Sequence, residues 1–235
     1  MERLIVHAVL FDFNGTLSDD ELLLYELFRA VFLEKLDFDM SKTYYFTYLA
    51  GLSDIEIVRH VINVRENHRQ NNETEILAEK VRRYQEAIVQ TPRIHERTIE
   101  LVLRLSEHVP VGIVTGAVRE EVDVALDKAG LADAVSCVVA GEDVTNGKPN
   151  PEGYLKAITF FDRDILPENI IAFEDSLAGF SAVKSAGMVP VAVVGTTPLE
   201  RIPPYVTRRV DRLSLESCSW LLDLMANHLG FRLPK

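Results

Sequence analysis

Asp12 follows an apolar run over residues 4–9 and is itself followed by Phe13, Asn14, Gly15 and Thr16. The run reads as a buried parallel strand. Asp12 therefore falls at its carboxyl edge, where open α/β sheets gather their ligands. A carboxylate in that position can ligate a hard cation or attack phosphorus. Gly15 lets the backbone turn and bring its amides to an anion, and Thr16 adds a hydroxyl. Three later stretches place related groups at or soon after a predicted strand. Thr115-Gly116 follows the apolar residues 111–114, Lys148 precedes Pro149 and Pro151, and Glu174-Asp175 follows the apolar residues 170–173. Phosphoryl transfer through a carboxylate needs a nucleophile, a divalent ion and cationic or dipolar clamps on the phosphoryl oxygens. Taken singly, these stretches read as a turn, a solvated lysine and acids favoured by a helix dipole. Their joint placement, in this order, points to chemistry.

Stepping from one strand to the next requires helices. After Pro92 the pattern alternates: helix 94–107, strand 111–114, helix 118–129, strand 135–140, helix 151–161, strand 170–173, helix 177–186 and strand 189–194. Val210 and Leu213 mark a last short strand, and residues 215–229 read as a terminal helix. Short apolar strands separated by helices predict an α/β fold with a doubly wound parallel sheet. Between residues 19 and 90 the pattern is helical instead. Leu23, Leu27, Ala30 and Val31 share one apolar face with Leu24, Phe28 and Phe32 beside it, and further helices are predicted at 54–64 and 73–89. Ser53 followed by Glu56 forms a capping box for the first of these. Residues 65–75 read as a polar surface loop.

The chain has 235 residues, 47% of them hydrophobic, and a formal charge of −11. That charge argues against nucleic acid and anionic membrane partners. No apolar run reaches the roughly 18 residues of a membrane span. The N-terminus lacks the apolar centre of a signal peptide. Cys137 and Cys218 are the only cysteines, which reads as two reduced thiols in a cytoplasmic protein. A P-loop is excluded because Pro149 follows Lys148 where Ser or Thr is required. His60, His68, His95 and His108 show no ligand spacing and read as surface residues.

In combination the four stretches resemble the haloacid-dehalogenase-like phosphatases that carry a helical cap after the first motif. Phosphoglycolate phosphatase and the beta-phosphoglucomutase-like hydrolases belong to this group. The resemblance implies a Rossmann-like core at 1–18 and 92–235 and a helical cap domain at 19–91. It implies Asp12 as nucleophile, with the backbone at Phe13 and Asn14 and the groups of Thr115, Gly116 and Lys148 on the phosphate. Asp12, the Asn14 carbonyl, Asp175 and Glu174 would hold Mg²⁺. The substrate would be a small phosphorylated metabolite, and the protein a monomer or homodimer.

One position departs from the pattern. The family has an aspartate where this chain has Asn14, and the side chain of that aspartate serves as acid and base. An amide has no usable proton for acid–base catalysis near neutral pH, and such help is worth ~10²–10⁴ in rate. Three explanations stay open: leaving groups that need no acid, substitution by another carboxylate such as Asp19 or Asp20, or binding of a phosphorylated ligand without turnover. Specificity in the group comes from a cap loop that Gly51-Leu52-Ser53-Asp54 resembles. Tyr44, Tyr45 and Tyr48 lie just before it, as entrance or as cap core. The mutase relatives carry a histidine where this chain has Leu24 and an arginine where it has Asp54, which disfavours a mutase. A phosphonate hydrolase would need a cap lysine, for which Lys42 is the nearest candidate.

Overall fold

The computed structural model describes residues 5–64, 73–161 and 164–229. Among them, β1 (Ala8–Phe11), β2 (Val111–Val114), β3 (Cys137–Val139), β4 (Ile170–Glu174), β5 (Val189–Val193) and β6 (Arg208–Val210) form one sheet. Its order is β3-β2-β1-β4-β5-β6, and every pair is parallel. The expected doubly wound sheet is thus the one that forms. The chain runs outward from β1 on one side and returns to β4 on the other. A crevice opens at such a reversal, at the carboxyl ends of the strands. Asp12 and Glu174-Asp175 emerge there side by side, because Phe11 pairs with Phe173.

Strand alternation sorts the core into two layers. Val9, Phe11, Val111, Ile113, Ile171 and Phe173 face one cluster, whereas Ala8, Leu10, Val114, Cys137, Val139, Ile170 and Ala172 face the other. The rings of Phe11 and Phe173 stack 5.1 Å apart. Such a pair contributes about 0.5–1.5 kcal/mol beyond its buried area and ties the two site-bearing strands together.

The first layer holds α5 (Glu96–Ser106), α6 (Arg119–Ala129) and α9 (Ser219–Leu229), and the second holds α7 (Glu152–Ile158) and α8 (Leu177–Ser185). Between β1 and α5 lie α1 (Glu21–Leu36), α2 (Lys42–Tyr48), α3 (Asp54–Val64) and α4 (Glu73–Gln90). Of the expected loop at 65–75, residues 65–72 lie outside the described residues, as does His68.

Several expectations need correction. The first strand begins at Ala8 instead of residue 4, and the helix expected from 215 begins at Ser219. Ser214 and Ser217 hydrogen-bond each other's backbone amides before it, which holds a turn there. Helix α2 was not expected, because its Thr, Tyr and Phe residues favour strands. Ser41 caps it by accepting the Tyr44 N–H. The buried ridge of α1 is Leu24, Phe28, Val31, Phe32 and Leu36, so Leu23 and Leu27 flank it instead of leading it. His95 is exposed as expected, but His60 and His108 are half-buried, and His60 meets the Tyr44 hydroxyl at 2.9 Å.

Candidate active site

The site is built from the carboxyl ends of β1, β2 and β4 and the loop before α7. Lys148 Nζ lies 2.5 Å from Asp12 Oδ1 and also donates to Glu174 Oε1. Tyr154, from α7, donates to the same Glu174 oxygen at 2.8 Å. The other oxygen, Oε2, accepts the backbone N–H groups of Asp175 and Ser176 at 3.1 and 3.3 Å. Glu174 therefore has both oxygens engaged. A Cβ on Gly179 would fall 1.9 Å from its carboxylate. Glycine is required because the first turn of α8 closes directly over Glu174. Ser176 caps that helix by accepting the Gly179 N–H at 3.0 Å.

Ligand oxygens of Asp12, Glu174 and Asp175 lie within 4.8 Å of one another, all on buried residues. An all-oxygen set of this kind suits a hard divalent cation such as Mg²⁺. A further sign of fit is Asp175 Oδ2, which is buried and has no hydrogen-bond partner among the described residues. Such an oxygen is costly unless a cation or donor meets it. Gly15, at φ +74°, passes so close that a Cβ would lie 2.2 Å from that oxygen. Thr16 donates to the other oxygen, Oδ1, at 3.3 Å.

Burial pushes Asp12 up to about 7, the Lys148 charge pulls it down and the Glu174 charge raises it again. Burial and the charges of Asp12 and Glu174 likewise push Asp175 well above the usual carboxylate range. Burial lowers Lys148, but the two carboxylates outweigh it and hold the ammonium firmly protonated. Crowded carboxylates of this sort ionise together only when a cation joins them.

A cavity of about 170 Å³ opens above these groups. Its core side includes Asp12, Asn14, Thr115, Gly116, Lys148 and Asp175, and its helical side includes Leu24, Gly51, Leu52, Ser53 and Asp54. Every site residue read from the sequence lines this cavity except two. The Phe13 side chain is fully buried in the core, and Glu174 lies beneath Lys148. Thr115 Oγ1 accepts the Ala117 N–H at 3.0 Å, which bends the backbone toward the cavity. Asp54 donates its N–H to the Gly116 carbonyl at 3.2 Å, so the helical side touches the strand ends directly. The capping box is present, with Ser53 N–H to Glu56 Oε2 at 2.9 Å and Glu56 N–H to Ser53 Oγ at 3.3 Å.

Of the tyrosines, Tyr45 is buried and lines the cavity, whereas Tyr48 is exposed and lies outside it. Lys42 lies over the Phe46 ring and lines a second cavity instead. Asp19 is exposed beside His95, and Asp20 is buried, accepting the Asn14 amide at 3.0 Å and the Tyr84 hydroxyl at 2.6 Å. Sequence reasoning missed Glu21, Tyr154 and Thr196, whose hydroxyl lines the cavity beside Asp175. Only Glu21 had a signal, as the acidic first residue of α1.

Fold and site together define a doubly wound α/β protein with an acidic, lysine-bridged crevice under a helical roof. Residues 9–193 match the haloacid dehalogenase-like hydrolase family, and the chain belongs to it. Over 189 residues it is 28% identical to the phosphorylated carbohydrates phosphatase of Thermotoga maritima, covering 78% of this chain and 82% of the relative. It is 26% identical to the beta-phosphoglucomutase of Bacillus subtilis over 222 residues, 89% of this chain and 92% of that one. The crystal structure of CbbY from Rhodobacter sphaeroides in complex with phosphate superposes with a TM-score of 0.78 at 22% identity, covering 89% of this chain and 95% of that one. Among the described residues, no helix is long and apolar enough to cross a membrane.

Proposed function

We propose that this chain is a Mg²⁺-dependent phosphatase of small phosphomonoesters, working through an aspartyl-phosphate on Asp12. The observation that carries this is the placement of Asp12. It is gripped by Lys148, faces the cavity, and shares a cluster of carboxylate oxygens with Glu174 and Asp175. In the cycle, Asp12 attacks phosphorus and the ester P–O bond breaks to release the alcohol, while Lys148, the Thr115 hydroxyl and the Gly116, Phe13 and Asn14 amides bind the phosphoryl oxygens. Water then cleaves the acyl phosphate, releasing phosphate and restoring Asp12. Asp12, the Asn14 carbonyl and Asp175 would hold the ion, with Glu174 oriented as their neighbour. When bound, the ion supplies positive charge that keeps the carboxylates ionised and offsets the charge of the phosphoryl group. The helical segment 19–91 acts as a cap over the core formed by 1–18 and 92–235, and Gly51, Leu52, Ser53 and Asp54 select the substrate. The phosphatase name of the Thermotoga relative agrees with this reading.

Mutase activity, which the Bacillus relative is named for, is disfavoured because Leu24 and Asp54 stand where mutases carry histidine and arginine. Asn14 favours a second reading, binding of a phosphorylated ligand without turnover, since its amide cannot donate a usable proton.

The test is hydrolysis of an activated aryl phosphate with Mg²⁺ and with chelator. Turnover is expected with the ion and lost without it. Asp12→Asn is expected to remove turnover altogether, and an Asp12→Asn protein with full turnover would exclude the mechanism.

A further inference from the structure

The acid that Asn14 cannot supply has a candidate on α1. Among the described residues, five carboxylates line the main cavity: Asp12, Glu21, Asp54, Glu56 and Asp175. Asp12 and Asp175 belong to the oxygen cluster. Asp54 is ion-paired with Lys80 at 2.8 Å, and Glu56 caps α3 through Ser53. Asp20 is held between Asn14 and Tyr84, and neither Asp19 nor Asp20 lines this cavity. Glu21 remains.

Resting on the phosphatase reading above, we propose that Glu21 is the general acid and base of this enzyme, taking the role that Asn14 has vacated. Its side chain lines the wall between the main cavity and a second one, sharing the first with Asp12 and Asn14. The Tyr45 hydroxyl donates to Glu21 Oε2 at 3.2 Å and orients the carboxyl. The charged groups around it are Asp20 just before α1, Asp12 from the strand edge and Asp54 from α3, with Tyr45 above. Asp175 is close enough to feel its charge, and Lys42, His95 and Arg97 lie on the side of the second cavity. Burial, followed by the Asp20 charge, pushes Glu21 up to about 7. A carboxyl so placed is protonated near neutrality and can release and recover its proton at working pH.

In the first half-reaction the bond from Asp12 Oδ to phosphorus forms and the bond from phosphorus to the alcohol oxygen breaks. Glu21 transfers its proton to that departing oxygen and becomes a carboxylate. In the second half-reaction Glu21 accepts a proton from water as the water oxygen bonds to phosphorus. The Asp12–phosphorus bond breaks, and phosphate, the Asp12 carboxylate and protonated Glu21 result. No other reactant is consumed.

The test compares phenyl phosphate, whose leaving group needs a proton, with 2,4-dinitrophenyl phosphate, whose leaving group does not. Both are read as kcat/KM, which reports the first half-reaction. Glu21→Gln is expected to cost ~10²–10⁴-fold on phenyl phosphate and under ~10-fold on the dinitrophenyl ester. The dinitrophenyl ester also shows that the variant is folded. With phenyl phosphate, kcat/KM of the unaltered protein falls as pH rises through about 7, and this limb vanishes in Glu21→Gln. Restoring the aspartate with Asn14→Asp should reduce the cost of Glu21→Gln on phenyl phosphate to under ~10-fold. An equal loss on both esters, or a persisting limb, overturns the proposal. So does a silent unaltered protein beside an active Asn14→Asp. Silence in both proteins overturns the phosphatase reading itself.

Discussion

Lys148 is the residue on which the site's charge balance turns. It lies 12% exposed between Asp12 and Glu174 and, among the described residues, is the one cation bonded to either. Removing one partner of a buried pair leaves the other charges uncompensated. Lys148→Met is expected to cut kcat/KM for aryl phosphates by on the order of 10²–10³-fold, the range for a lost charge-stabilising donor. Steady-state kinetics beside a circular dichroism spectrum would check this. Asp12, Thr115, Lys148 and Glu174-Asp175 were legible in the sequence because each closes or follows an apolar strand. Tyr154 was not. Its role is to meet a carboxylate 20 residues later in the chain, and no local pattern marks that. Glu21 was legible as an acid but not as a wall of the cavity, since that depends on how α1 is set over β1.

At the scale of elements, helix α4 is fastened to the core by a charge buried out of reach of solvent. Lys80 Nζ donates to Asp54 at 2.8 Å and to Glu121 on α6 at 2.6 Å, beneath the rings of Phe28 and Tyr84. Burial would strip the lysine's proton, but the two carboxylates hold it up to about 12. One ammonium faces two carboxylates, so burial, only partly offset by Lys80, pushes Glu121 up to about 8. The folded state therefore binds a proton here that the unfolded chain has released. The resulting stabilisation is full below the ordinary glutamate value near 4.5 and is lost as pH rises through about 8. Glu121→Gln should flatten that decline between pH 4.5 and about pH 8, measured as the shift in urea midpoint. Lys80→Met leaves Asp54 buried without its ion-pair partner and should cost about 3–5 kcal/mol in the same experiment. None of this was legible in the sequence, because the partners lie 26 and 41 residues away. Helix α2 was missed for a local reason: its composition favours strands while Ser41 caps a helix.

Across the whole molecule, the sheet was the most legible feature. Five apolar stretches in sequence order, each too short to be a helix, with Val210 and Leu213 marking a sixth strand, admit few arrangements once crossovers are right-handed. What the pattern could not show is how tightly the helical roof meets the strand ends. A Cβ at Gly116 would lie 2.8 Å from the Ser53 Cα, a backbone atom that has little room to give. Gly116→Ala should therefore hold the roof away from the strand ends. A misplacement of about 1 Å there is expected to lower kcat/KM on the order of 10²-fold with little change in urea midpoint.

The two thiols sit on opposite faces of the sheet, Cys137 in the layer of α7 and α8 and Cys218 in the layer of α5, α6 and α9. Both are buried, and burial raises both thiols, Cys137 to about 11. A disulfide-exchange reagent at neutral pH consequently meets neither until its own layer opens. The protein thus carries a pair of native timers. If the two cysteines are labelled at one shared rate, the layers come apart together. If Cys137 is labelled first, the face carrying α7, which supplies Tyr154 to the site, breathes independently of the larger core.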